Sequence, residues 1–179
     1  MFHDMAPGVT FDLYMEAPNV IEEGVINGKF SVGIVPLHRR SPMLTYQDLY
    51  TEDMRLYCGQ SHPLFDREQE IIPIEILRDF TYAGLSFNSP NMAVHQKLSL
   101  RKSAFVQSEE ALALLVLSGR YLAFLPSHMA EPFVVNGQMR HLKIEEATYT
   151  STLTAIARKS TATGRRLKTF WDCLGQVHS

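Results

Sequence analysis

Cysteine is scarce: Cys58 and Cys173 are the only two in 179 residues. Two thiols cannot staple a fold of this size, so a disulfide scaffold is excluded, and cysteines that far apart read as reduced and cytosolic. Charge of one sign is missing as well. The chain carries 17 Lys+Arg against 19 Asp+Glu, a formal net charge of −2, and its pI is ≈ 6.4. No basic block occurs beyond Arg165-Arg166-Leu167-Lys168, so there is no electrostatic footprint for DNA or RNA. Long apolar runs are absent too. The longest, Ala111 to Pro126, is broken by Ser118, Gly119 and Arg120 and is too punctuated to span a bilayer. Met1-Phe2-His3-Asp4 lacks the basic start and apolar core of a signal peptide. What is present excludes disorder: 10 Phe, 7 Tyr and 45% hydrophobic residues are ample for a packed core. The composition reads as a soluble cytoplasmic chain of one domain or two small lobes.

Along the chain, Val9-Thr10-Phe11-Asp12-Leu13-Tyr14-Met15 alternates as a strand. Pro18 to Gly28 predicts a short amphipathic helix with Val20, Ile21, Val25 and Ile26 inward and Glu22 and Glu23 exposed, closed by Asn27-Gly28. Phe30 to Val35 predicts a strand ended by Pro36, and the three elements suggest a βαβ unit with a parallel sheet. Leu44 to Cys58 is one long extended stretch. Ile74 to Phe80 and Asn91 to Leu98 read as short helices, Tyr82 to Leu85 and Ala104 to Val106 as short strands. Phe87-Asn88-Ser89-Pro90 is a loop.

The clearest helix follows. Ser108 stands at an N-cap position, with Glu109 and Glu110 in the first turn, where the helix dipole favours negative charge. Ala111 to Leu117 is apolar nearly all round, which predicts cover on both faces, and Gly119 ends the helix. Tyr121 to Leu125 predicts a buried strand stopped by Pro126, giving a second βαβ unit. A short helix from Ser127 and a turn at Asn136-Gly137 come next. Tyr149 to Ala157, rich in Thr, is a strand. Gly164 to Val177 is a helix with Leu167, Phe170, Trp171 and Leu174 on one face and Arg165, Arg166 and Lys168 on the wet one.

Catalytic signatures are missing: there is no G-x-G-x-x-G, P-loop, C-x-x-C, H-E-x-x-H or G-x-S-x-G. The seven histidines (His3, His38, His62, His95, His128, His141, His178) form no i, i+4 metal pair. No metal, cofactor or catalytic residue is therefore expected, and no enzyme. Cys58 with His62 has the composition of a nucleophile and base, but a strand end followed by a His-Pro turn accounts for both. Arg39-Arg40 follows a strand, where open α/β sheets place ligands, and a guanidinium could fork onto a carboxylate. A solvated surface loop is the favoured alternative. Phe87, Asn88 and Ser89 occupy a similar loop, explained equally by turn chemistry. Ser108 either donates to a ligand or caps its helix, and capping is favoured.

Several stretches resemble the effector-binding region of LysR-type transcriptional regulators. Phe30-Ser31-Val32-Gly33-Ile34-Val35-Pro36 resembles a family strand in which an acidic residue is common where Ser31 stands. Leu56-Tyr57-Cys58-Gly59-Gln60-Ser61-His62-Pro63-Leu64 is similar to the strand and His-Pro-Leu stretch leaving the first lobe. The most specific piece, Ala113 to Pro126, resembles the Gly-containing signature of the second lobe, with Arg120-Tyr121 replacing the usual second glycine region. Asn136 to Leu142 is similar to the stretch after it.

The resemblance implies an α/β, periplasmic-binding-protein-like (type 2) fold, two lobes joined by two crossover strands. Lobe I would be residues 1–55 plus 153–179, and lobe II residues 56–152. It also implies that the family's helix-turn-helix, linker helix and first strand lie outside this chain, so that lobe I is incomplete and DNA is bound only through the absent part. The implied function is effector sensing and oligomerisation, as a dimer or tetramer, with a small metabolite in an inter-lobe cleft and no membrane partner. The implied ligand-binding residues are Pro36, Leu37, Arg39, Phe87, Asn88, Ser89, Gln107 and Ser108. The rival readings are a stand-alone solute-binding protein, a small α/β enzyme and a dimerisation module with a vestigial cleft.

Overall fold

Two long strands organise the chain: Leu44–Gly59 (β2) and Thr148–Arg158 (β7). Within each, the chain passes between two compact units, unit 1 (Met1–Thr51 with Thr152–Ser179) and unit 2 (Glu52–Ser151). The structure, a computed structural model, describes residues 2–37, 40–67, 72–87, 94, 97–144, 146–160 and 164–177.

Unit 1 opens with a single helical turn, Phe2–Met5 (α1). Val9 to Met15, expected to be a strand, is irregular, with Leu13 91% and Met15 82% exposed. Alternation alone cannot make a strand; a ladder partner is needed, and among the described residues no strand pairs with it. The first βαβ unit therefore does not form.

Pro18–Ile26 (α2) is the expected helix, started by Pro18, whose missing N–H is no loss in the first turn. It is closed by the Asn27 N–H on the Glu23 carbonyl and by Gly28 at φ +78°. Its buried stripe runs through Pro18, Glu22 and Val25, while Val20 is exposed. Glu22 is thus buried rather than exposed, because the inward face is rotated from the one its apolar residues suggested. Phe30 leaves the following strand. It folds back so closely on Gly24 that a Cβ there would lie 2.3 Å from its ring. That shortens the strand to Gly33–Pro36 (β1), which pairs antiparallel with β7, Gly33 opposite Ile156 and Pro36 opposite Leu153.

β7 in turn neighbours β2, with Thr154 donating to Asp48 at 2.8 Å and Thr45 to the Ala157 carbonyl at 3.1 Å. Val25, Val35, Leu44 and Ile156 form the core of this unit. The last helix, Arg165–Val177 (α5), half-buries Leu167, Phe170, Trp171 and Leu174 and leaves Arg165, Arg166 and Lys168 exposed, as its periodicity predicts.

In unit 2, a tight 3₁₀ segment, Ile74–Asp79, follows Pro73 and leads into Thr81–Leu85 (β3). β3 runs parallel to Arg101–Val106 (β4) and also bridges in parallel to Leu122, at the start of Ala123–Pro126 (β5). Between β4 and β5 lies Glu109–Leu117 (α3), so the second βαβ unit forms as expected. Ser108 caps α3 by accepting from the Ala111 N–H at 3.4 Å, and Gly119 turns the chain at φ +70°. One face of α3 is open, contrary to expectation: Leu114 is 69% exposed while Leu112, Ala113 and Val116 are buried. Uniform apolarity hides which side meets water.

Ser127–Val135 (α4) and Met139–His141 (β6) complete the unit, β5 and β6 both pairing antiparallel with β2. Alternate residues feed two clusters: Leu56, Cys58, Leu122 and Phe124 face one, Tyr57, Ala123 and Leu125 the other. Both faces of β5 are covered, which is why its sequence reads as an unbroken apolar run. The expected helix Asn91 to Leu98 lies largely outside the described residues.

Candidate functional site

Parallel pairing sets the site in unit 2. Because β4 and Leu122 both run parallel to β3, the carboxyl ends of β3, β4 and β5 emerge on one edge, the edge where open α/β sheets hold ligands. That edge carries Ser86 and half-buried Phe87 after β3, Gln107 and Ser108 after β4, and Ser127 and His128 after β5. Ser86 is held by its N–H and its hydroxyl, both donating to the Val106 carbonyl at 2.8 Å. Lys102 is spent on structure: its ammonium donates to the Leu85 carbonyl and lies over the Phe105 ring, and desolvation lowers its pKa.

Acidic groups gather beside this edge. Glu52, on β2, is buried, with Oε1 3.8 Å from His128 Nε2 at the start of α4. Glu109 opens α3, and its carboxyl is pushed up to about 7, first by burial and then by the charges of Glu52 and Glu110. The Tyr149 hydroxyl is raised from its ordinary range by burial, by Tyr82 and by the same two carboxylates, Glu109 and Glu52. Tyr82, Phe124 and Tyr149 form a row of edge-to-face rings that carries the two phenols toward this cluster. Chemically the edge offers hydroxyls, an imidazole and carboxylates that resist full ionisation.

In unit 1, Pro36 ends β1, and the Leu37 N–H is fixed on the Thr152 carbonyl at 2.8 Å. Arg40 is exposed, stacked over Tyr46 and 3.8 Å from Asp48. Of the residues the resemblance pointed to, Phe87, Gln107 and Ser108 share one edge of unit 2, and Pro36 and Leu37 lie together in unit 1. Arg39, Asn88 and Ser89 lie outside the described residues. Glu52, His128, Tyr82 and Tyr149 were missed. The rule that pointed to Gln107-Ser108, a polar pair directly after a strand, would also have found Ser127-His128 after Pro126. No signal marked Glu52, since a buried carboxylate in mid-strand looks like any exposed one.

Cys58 and His62 form no catalytic pair. Cys58 is fully buried, and burial pushes its thiol up to about 12. Burial likewise drops His62 to about 4, and its Nδ1 accepts the Leu64 N–H at 3.2 Å. Among the described residues no three His, Cys, Asp or Glu side chains converge on a metal position, and no helix is long and apolar enough to cross a membrane.

Two α/β units exchanging the chain through two strands, with polar strand ends, define a ligand-binding regulatory fold. The whole chain, residues 1–179, matches the family described as LysR substrate binding domain. The chain belongs to that family. It is 36% identical over 160 residues to the HTH-type transcriptional activator BauR of Pseudomonas aeruginosa, covering 89% of this chain and 51% of that protein. The chain thus spans about half the length of that curated relative.

Among solved structures it is similar to the CcmR regulatory domain of Synechocystis PCC6803 in complex with 2-PG (TM-score 0.81, 20% identity, 99% of this chain and 88% of that one). It is also similar to the effector binding domain of QuiR in complex with shikimate (TM-score 0.80, 17% identity, 99% and 86%). Full-length HypT from Salmonella typhimurium matches at TM-score 0.73 and 17% identity, over 94% and 59% of the two chains. These likenesses show the fold, the periplasmic-binding-protein-like (type 2) architecture.

Proposed function

We propose that this chain is the effector-sensing and self-associating part of a cytoplasmic LysR-type transcriptional regulator. Its ligand is a small metabolite, and DNA is bound by a helix-turn-helix in the longer protein. The observation that carries the reading is the convergence of the carboxyl ends of β3, β4 and β5 on one polar edge in a chain of this family. Within unit 2 the proposed contacts are Phe87, Asn88, Ser89, Gln107 and Ser108, joined by Glu52, Glu109 and His128. Within unit 1 they are Pro36, Leu37 and Arg39. The carboxylates of Glu52 and Glu109 oppose a multiply charged anion at the unit 2 edge, where like charges would meet at low solvent exposure. Effector binding changes the grip on DNA by the difference in its affinity for two states of the regulator.

The test is a thermal melt of the 179-residue chain against amino acids, dicarboxylates, aromatic acids and nucleobases. A ligand at about 100 times its Kd adds roughly 2.7 kcal/mol, enough for a shift of several degrees. One chemical class should raise the melt, and Glu109→Gln and Ser108→Ala should each weaken that shift. A cooperative melt that no class moves overturns the reading.

A further inference from the structure

We propose that Val9 to Met15 is an unsatisfied strand that pairs antiparallel with the same segment of a second copy of this chain, about a two-fold axis at Leu13. The proposal specifies a surface for the self-association proposed above and is independent of any effector. The segment has a strand's composition and alternation, yet among the described residues it joins no ladder. Its side chains are the most exposed apolar ones of unit 1: Leu13 91%, Met15 82%, Tyr14 57% and Phe11 50%. Only its margins are anchored, Phe11 against Phe2 and Phe170, Tyr14 against Phe30. An extended run with open backbone groups and apolar side chains is a template for strand addition.

Register selects the partner. Pairing centred between two residues would set apolar against polar side chains on each face. A centre at Asp12 places Asp12 against its own copy, and a centre at Tyr14 places Asp12 against Glu16; like charges directly opposite are destabilising. A centre at Phe11 sets Met15 opposite Pro7, which has no N–H to give. Leu13 as centre sets Leu13 against Leu13, Phe11 against Met15, Asp12 against Tyr14 and Thr10 against Glu16. Apolar meets apolar and the acids stay apart. The segment is self-complementary, as an isologous two-fold interface requires. A strand pair this short sits at the small end of specific interfaces, so the dimer belongs to high protein concentration.

Sedimentation velocity and amide hydrogen exchange at about 1 µM and on the order of 200 µM test this, a range chosen for a weak interface. The 20.3 kDa chain should double its mass at the higher concentration, with exchange at residues 10–16 slowed at least tenfold only there. Leu13→Glu, on a side chain with no burial to lose, should keep the wild-type melt and stay monomeric. Leu114→Glu, on the open face of α3, should still dimerise. A monomer at every concentration overturns both the surface and the self-association. A dimer that survives Leu13→Glu, or is dissolved by Leu114→Glu, overturns the surface alone.

Discussion

His128 Nε2 stands 3.8 Å from the buried Oε1 of Glu52, an exposed imidazole against a carboxylate shielded from water. Glu109 lies in the field of that carboxylate, and its own carboxyl is raised to about 7. An unfolded Glu titrates near 4.3, so between there and about 7 the folded chain holds more protons than the unfolded one. Stability from this group is therefore highest below that window, falls as pH rises through it, and is lowest above it. Glu109→Gln removes the penalty. Scanning calorimetry should show a Tm higher by about 2–4 °C at pH 8, roughly 1 kcal/mol, and a smaller gain at pH 5. An equal shift at both values would contradict the raised carboxyl.

Native Cys58 should resist alkylation. With its thiol pushed up to about 12 by burial, iodoacetamide at pH 8 should label it only after denaturation, and buried Cys173 should behave the same way. Intact-mass measurement before and after adding guanidinium reads this directly. Rapid native labelling of Cys58 would show that the thiol is open.

Two glycines should respond differently to alanine. At Gly59 a Cβ would stand 2.1 Å from the Val116 carbonyl at the end of α3, so Gly59→Ala must push helix from strand, at about 1–3 kcal/mol or more. At Gly137 nothing lies within 4 Å, and only the backbone at φ +68° objects, at about 1–2 kcal/mol. Urea titration should rank Gly59→Ala as the more damaging. The reverse order would mean that β2 and α3 are not in contact.

Leu56→Ala and Leu114→Ala separate core from surface within unit 2. Leu56 is fully buried, and its truncation should cost about 2–5 kcal/mol. Leu114 is 69% exposed and should stay within about 0.5 kcal/mol of wild type. Comparable losses at both would show that the open face of α3 is covered.

Local grammar made much of unit 2 legible. Ser108, Gly119 and Pro126 are punctuation whose chemistry acts within a few residues, so α3 and β5 could be bounded from sequence. Val9 to Met15 failed for the opposite reason, since strand formation depends on a partner that no nearby residue announces. Glu22 was misplaced because α2 turns its Pro18–Glu22–Val25 stripe inward, a choice made by Phe30 packing back on Gly24. The candidate site divides in the same way. Gln107 and Ser108 were visible as a polar pair after a strand. The meeting of Glu52 with His128 joins a mid-strand residue to a helix start through the β2–β5 pairing, which no local pattern encodes.

The order in which the chain leaves the ribosome matters for unit 1. Its β1 is bonded to β7, Gly33 opposite Ile156, and all of unit 2 is synthesised between them. At about 5–20 residues per second, α2 and β1 wait on the order of ten seconds for the strand that completes their sheet. Unit 2 emerges as one uninterrupted stretch and can settle first. During that wait Ile34 and the residues around Leu13 stand open to other nascent chains, which makes the first fifty residues the part of this protein most in need of a chaperone.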